Sequence, residues 1–484
     1  MAVPSVDEYV KRGNDANARG EHAVAVEFFR NALETKPGWP EVLHNLAVNL
    51  YQLGEIDEAL NLWAKAAESG NSPFSLGMMA VAVPNSPCAT NREILHIRSE
   101  WARMIDPETS FDIRKKRRGA HGPLRVGYMC SFFERENYMK PVWPLINGHD
   151  REQFEVHLFS DTPPGQIKSG YQPHLRDMLH HTGGMNNQGC AEFIASIKPD
   201  LLIDLNAYSR WRRTAVYTLK PARVIASWFN SYATTGLPAV DYLIGDPVVA
   251  PPEEDEFYSE EVLRVSSTYL PFEMTYPVPG VAPPPCLKNG YITFGSMAPS
   301  YKLTHPTIEA WSHILHGAPA AKLLLKNGAL DFEANRKHVL ARFAEHGITG
   351  DRLLFEGQAP HFEFLQAYEK VDIALDSFPY NGGTSTTEAI WQGVPVLTFY
   401  GDRWASRTSA SILGAARLSE FVGANVEDYI ALAKRLANDP TTPDKLATLR
   451  DSMRDHLLSS PVCDTRTFVR EMEKLYRHMH DPRG

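Results

Sequence analysis

The stretch "IALDSFPYNGGTSTTEAIWQGVPVLTF", residues 373–399, reads as strand, turn, helix and second strand in quick succession. Ile373–Asp376 is an apolar run ending at a turn that contains Pro379, Gly382 and Gly383, and Thr384–Gln392 has helical character before the next apolar run, Val394–Phe399. Glycines break both kinds of periodicity and let the backbone turn sharply, so they punctuate the unit. A short apolar strand followed by a helix and another apolar strand is the signature of parallel strands joined by crossover helices.

The same alternation extends in both directions. Toward the amino terminus, Leu124–Cys130, Phe154–Ser160, Leu201–Asn206, Val224–Asn230 and Tyr242–Gly245 are strand candidates separated by stretches of helical length. After the proline-rich segment Tyr276–Gly290, an extended linker, come Tyr291–Gly295, Ala321–Lys326, Leu353–Glu356, Ile373–Asp376 and Val394–Phe399. Helices are expected over His305–Leu315 and Phe332–His346. Two such series predict an α/β chain with two doubly wound, Rossmann-like domains, whose ligands sit beyond the carboxyl ends of the strands, in a cleft between the domains.

The first 73 residues differ. Tyr9, Gly13, Gly20, Ala25, Phe29 and Ala32 recur 34 residues later as Leu43, Ala47, Gly54, Ala59, Trp63 and Ala66. A period of 34 with small residues where helices cross resembles the tetratricopeptide repeat. Because such units bury their faces only by stacking, two of them are expected to continue into Asn91–Ile105 or to pack on the next domain. Their role is either a groove for a protein partner or a cap on the core.

Composition narrows the function. The net charge of −9 argues against a polyanion-binding surface, so nucleic acid is not an expected partner. The start of the chain lacks the layout of a signal peptide and no long apolar run occurs, which predicts a cytoplasmic protein without a membrane partner. Cys88, Cys130, Cys190, Cys286 and Cys463 are scattered with no CxxC, which speaks against disulfides and structural zinc.

In the opening stretch, the first amides of a helix lack internal partners and carry the positive end of its dipole, so Gly382–Thr386 forms a candidate anion site. Ser385, Thr386 and Thr387 can add hydroxyl donors, and Glu388, one turn in, can accept hydrogen bonds from vicinal hydroxyls such as those of a ribose. The alternative is an ordinary helix start with Thr384 or Ser385 as cap. Two other strand ends support the anion site. In "FGSMAPSYKLTHP" Lys302 can offset diphosphate charge, and in "GQAPHFEFL" Phe364 offers a stacking face for a planar base.

With these residues the chain resembles the O-GlcNAc transferase family, glycosyltransferase family 41, in a bacterial form with few repeats. The resemblance rests on "LRVGY", "KPDLLIDLNAYS", "KPARVIASWFNSYATTG", "VDYLIGD" and "LDSFPYNGGTSTTEAIWQGVPVLTFYGDRWASR", in order along nearly the whole chain. It implies the GT-B fold and inverting transfer of a sugar, GlcNAc foremost, from a UDP-sugar to serine or threonine of a protein, with no metal or other cofactor. It also implies a diphosphate site at Lys302, Asn381, Gly382, Gly383, Thr384, Ser385 and Thr386, a ribose contact at Glu388, and a uracil site at Gln358, Ala359, His361 and Phe364. Asn206, Tyr208, Tyr232, Thr234 and Thr235 fall on the sugar and acceptor side.

Three positions depart from the family pattern. Glu136 stands where the family carries a histidine near the reacting sugar, Gly383 replaces another histidine, and "NGY" reads Asn206, Ala207, Tyr208. A carboxylate at Glu136 can take a proton from an acceptor hydroxyl, or it is a solvated helix charge. The implied division is 1–75 for the repeats (6–39 and 40–73), 76–120 for a helical connector, 121–280 for the acceptor-side domain, 288–464 for the UDP-sugar domain and 465–484 for a helix returning to the first domain. Family habit points to a protein acceptor such as flagellin, engaged through the repeats. The alternatives are transfer to asparagine, a glycan or a small molecule, or a degenerate nucleotide-binding scaffold.

Overall fold

The structure is a computed structural model that describes residues 4–70, 72–106, 122–167 and 170–481. Part of the expected connector, residues 107–120, lies outside the described residues. The chain forms two units, one of Met1–Ala89 with Val278–Leu457 and one of Thr90–Pro277 with Leu458–Gly484.

In the first unit the amino-terminal arm contains helices Val6–Arg19, His22–Thr35, Pro40–Gln52, Ile56–Glu68 and Ser72–Ala82. The residues that repeat in sequence are those that build its core, for Phe29 and Trp63 are fully buried along with Ala25, Ala32, Ala47, Ala59 and Ala66. Gly13 has to be small, since a Cβ there would lie 2.6 Å from the Phe29 ring. Gly20 and Gly54, one period apart, both turn the chain between the two helices of their hairpins in the left-handed region, at φ 85° and 86°. The arm does not continue into Asn91–Ile105, which belongs to the other unit. It docks on the carboxyl-terminal half, where Asn335 donates from Nδ2 to the Gly20 carbonyl at 2.9 Å and accepts from the Ala23 amide at 3.0 Å.

Seven parallel strands make the sheet of the second unit: β1 Leu124–Cys130, β2 Phe154–Ser160, β3 Met178–His181, β4 Leu201–Asp204, β5 Val224–Ser227, β6 Tyr242–Gly245 and β7 Glu261–Arg264. Their order is β3-β2-β1-β4-β5-β6-β7, with Tyr128 in register between Leu158 and Ile203. β4 is buried throughout, as expected of a parallel sheet covered on both faces. The helix Thr465–His480 supplies Tyr476, whose hydroxyl lies 3.1 Å from that of Tyr128.

The first unit carries the other sheet, β8 Thr293–Ser296, β9 Lys322–Lys326, β10 Leu353–Glu356, β11 Ile373–Leu375, β12 Val396–Phe399 and β13 Val422–Gly423, in the order β10-β9-β8-β11-β12-β13. Both sheets are therefore doubly wound. In each, the strand order reverses beside the first strand, next to β4 in one and next to β11 in the other. Ligands of such sheets bind at that reversal, beyond the carboxyl ends of the strands.

Candidate active site

A pocket opens at the reversal point of the second sheet. Its lining includes Gly295 and Ser296 at the end of β8, Asp376 and Ser377 just after β11, and Gly382 and Ser385 at the start of helix Thr384–Trp391. The loop between β11 and that helix is organised by Asp376, a residue to which the sequence by itself assigns no role. Its buried carboxylate accepts from the amides of Gly382 at 2.8 Å and Ser377 at 3.0 Å and from the Thr398 hydroxyl at 2.8 Å. An aspartate at a strand's carboxyl end, six residues before a glycine pair, was the available signal. Burial raises its carboxyl above the usual range, and hydrogen bonds from Ser409, the Gly382 amide and Thr398, with the Lys302 charge, pull the other way.

Lys302 closes one side of this loop. It lies on the single turn Ser300–Lys302 after β8, is buried, and donates from Nζ to the Asn381 carbonyl at 2.6 Å. The ammonium also stands 3.6 Å from the centre of the Tyr380 ring. Burial pushes its pKa down to about 8, the Asp376 charge opposing part of that shift. A neutral carbonyl and a ring face are weak compensation for a buried cation, so an anion entering here gains more than it would in water.

The helix start faces the same pocket. Among the described residues the amides of Ser385 and Thr386 have no acceptor. Gly382 keeps the approach open, because a Cβ there would stand 2.5 Å from the Thr386 hydroxyl and 2.6 Å from that of Ser385. The Thr386 hydroxyl is paired with Ser409 at 2.7 Å, so it braces the loop. Tyr368 fixes the turn from behind, its hydroxyl donating to the Ser385 carbonyl at 3.2 Å. Asn381 and Gly383 stand directly before the helix, with Gly383 at its cap.

Further along this helix, Glu388 is buried, with a carboxylate oxygen 3.5 Å from His361 Nε2. His361 and Phe364 lie on the helix His361–Gln366 after β10, their rings nearly parallel at 16° with centres 6.1 Å apart. Gln358 is exposed and its backbone N–H donates to the Asp331 carboxylate at 3.1 Å, while Ala359 is half-buried. Three separate strand ends thus bring Lys302, the Asn381–Ser385 loop, Glu388 and the His361–Phe364 face together in one unit.

The remaining predicted residues belong to the other sheet. Asn206 follows β4, is fully buried, and accepts the Ser131 amide at 2.7 Å across the reversal point. Tyr208 donates to the Thr235 carbonyl at 2.7 Å beneath the Arg98 guanidinium, which is 4.0 Å from its ring and 5.5 Å from that of Tyr232. Thr234 donates to Glu260 at 2.8 Å, and both the amide and the hydroxyl of Thr235 are bonded to the same carboxylate. These two hydroxyls serve a buried network on Glu260. Glu136 sits in a turn region between β1 and helix Val142–Gly148, not on a helix, and is half-buried with no ion-pair or hydrogen-bond partner among the described residues.

Residues 102–273 and 286–472 match the model of glycosyl transferase family 41. The probable UDP-N-acetylglucosamine–peptide N-acetylglucosaminyltransferase SPINDLY of Solanum lycopersicum is 28% identical over 402 residues, covering 81% of this chain and 42% of that protein. Its namesake from Arabidopsis thaliana is 29% identical over 389 residues, covering 79% and 40%. The chain therefore spans about two fifths of the length of these curated relatives. A solved O-GlcNAc transferase mutant of Thermobaculum terrenum superimposes with a TM-score of 0.85 at 27% identity, covering 99% of this chain and 91% of that one. The matched stretches carry both sheets with their reversal points, and the chain belongs to glycosyl transferase family 41.

Proposed function

We propose that this chain transfers a sugar, GlcNAc foremost, from a UDP-sugar to serine or threonine hydroxyls of a protein, with inversion. The observation that carries the proposal is the buried Lys302 ammonium beside the Asn381–Ser385 loop. It supplies a fixed positive charge next to helix amides without acceptors, in a pocket at a reversal point. The diphosphate lies along Lys302, Gly382 and Ser385, the ribose hydroxyls meet Glu388, and the uracil lies against His361 and Phe364.

In the reaction the acceptor oxygen attacks the anomeric carbon from the face opposite the diphosphate. The carbon–oxygen bond to the β-phosphate breaks, and its electron pair stays on the departing UDP. Lys302 and the amides of Ser385 and Thr386 stabilise that charge from preset positions. The acceptor proton passes to the Glu136 carboxylate. Charge stabilisation by a lysine and amides predicts turnover without added divalent metal.

The test has two parts. UDP is expected to raise the melting temperature in buffer containing a chelator, and no shift with UDP or any UDP-sugar would sink the donor assignment. Mass spectrometry of candidate cytoplasmic acceptors co-expressed with the chain, flagellin and other surface proteins among them, is expected to show added hexosamine on serine or threonine. Sugar found on asparagine, or donor consumed with no protein modified, would replace the hydroxyl-bearing protein as acceptor.

A further inference from the structure

The arm reaches the donor pocket through a continuous set of contacts. Tyr51, at the end of the third helix of the arm, stacks on Tyr301 with ring centres 5.2 Å apart and planes 11° from parallel. Tyr301 packs against the hydrophobic core of the arm, although it belongs to the strand-end turn that carries Lys302. On its other side the Tyr301 ring lies 6.5 Å from Tyr380, the ring beneath the Lys302 ammonium.

A second connection runs through the backbone. At Gly54 the arm touches Leu303 so closely that a Cβ would stand 2.4 Å from the Leu303 carbonyl oxygen. One nitrogen of the buried Arg342 guanidinium donates to the Leu303 carbonyl at 2.7 Å and to the Leu53 carbonyl of the arm at 3.0 Å. Glu55, largely buried, holds that arginine at 3.5 Å, His305 at 2.8 Å and His338 at 3.3 Å. Burial works against its ionisation, yet the hydrogen bonds from His305 and His338 and the Arg342 charge keep its carboxyl well below the usual range.

The turn bearing Lys302 is only three residues long, its backbone closed by Lys302 N–H to Pro299 and Leu303 N–H to Ser300, with the Ser300 hydroxyl on Asn327 at 2.9 Å. So short a turn has little stiffness of its own, and the residues on either side of Lys302 are clamped by the arm. We infer that Tyr51 and Glu55 of the second repeat are positioning residues for Lys302, making the repeat arm a wall of the donor site as well as any groove for an acceptor. Catalytic charges tolerate little displacement, and a shift of about 1 Å can cost on the order of a hundredfold in rate. This rests on the proposed role of Lys302 on the diphosphate.

The experiment uses the full chain and reads donor steps that need no acceptor: UDP affinity by calorimetry, and kcat and KM for hydrolysis of the UDP-sugar by water. Circular dichroism and melting report folding separately. Glu55→Gln keeps the shape of the side chain, and Tyr51→Leu removes the stacking ring. Each is expected to weaken UDP binding about tenfold and to lower kcat for hydrolysis as well as raising KM. Tyr51→Phe, which keeps the ring, is expected to restore both values. A folded Glu55→Gln or Tyr51→Leu chain with wild-type UDP affinity and hydrolysis would overturn the inference, and should Tyr51→Leu fail to fold, Glu55→Gln decides alone. If the wild-type chain bound no UDP at all, it is the donor assignment that would fall. Wild-type binding that Lys302→Ala abolishes but these variants leave untouched would remove the positioning role alone.

Discussion

Over six strands the two sheets share an order and an aspartate at the same place, and they use it differently. Asp204 ends β4 as Asp376 follows β11, each at the carboxyl end of the strand beside the reversal point. Asp204 is saturated by uncharged donors: the amides of Asn206 at 2.8 Å and Ala207 at 3.1 Å, and the hydroxyls of Tyr217 at 2.6 Å and Ser227 at 3.1 Å. Its neighbourhood is filled by buried Asn206 and Tyr217. Around Asp376 the loop is longer and ends in two glycines, a buried ammonium stands nearby, and a pocket remains. The fold supplies the place, and loop composition decides whether that place is packed or left for a ligand.

Replacing Lys302 should break the contrast most deeply. Lys302→Ala is expected to cost on the order of a hundred- to a thousandfold in turnover, about 3 to 4 kcal/mol of transition-state stabilisation, with the circular dichroism spectrum unchanged. In the turn region after β1, Glu136→Gln should lower turnover by at least about tenfold while leaving UDP affinity alone, and steady-state kinetics beside calorimetry will separate the two. Equal activity of wild type and variant would remove Glu136 as proton acceptor.

The aspartates give a matched pair. Asp204→Asn and Asp376→Asn each turn a buried acceptor toward donors and should each lower stability by about 1 to 3 kcal/mol in denaturant titrations. Only Asp376→Asn should also weaken UDP, by about tenfold. Equal UDP affinity in the two variants would show that the loop organises itself without Asp376.

A pH series gives the gentlest probe. Free Lys302 loses its proton near pH 8, and bound diphosphate holds that proton more tightly. UDP affinity should therefore be flat between about pH 7, above which the terminal phosphate of UDP is fully charged, and about pH 8, and fall by up to tenfold per unit above that, a limb that Lys302→Ala abolishes.

Much of this was legible in the sequence because it follows from periodicity. Leu353–Glu356 is a strand as read, Thr384 does begin a helix, and the 34-residue period picks out Phe29 and Trp63 as core. β3 escaped notice because Met178 and Leu179 are exposed at a sheet edge, and β13 because two residues make no pattern. Thr234 and Thr235 looked available for a ligand, since nothing local reveals that Glu260 takes both hydroxyls. Docking of the arm through Asn335 and Arg342 was invisible for the same reason, as side-chain partners hundreds of residues apart leave no local trace. The charge on Asp376 needed its partners before it meant anything, and they come from a loop and a neighbouring strand.

The clasp between the arm and Arg342 also sets an order of events during synthesis. Leu53 and Arg342 are 289 residues apart, and Gly20 and Asn335 are 315 apart. At ribosomal rates the arm emerges on the order of tens of seconds before its docking surface exists. Helical hairpins with local contacts form far faster than that, but the face at Gly54 and Glu55 is covered only once Leu303 and Arg342 arrive. The donor pocket can be assembled only when the carboxyl-terminal sheet arrives to meet the waiting arm. A nascent chain therefore has no complete pocket at this reversal point until the carboxyl-terminal sheet has been made.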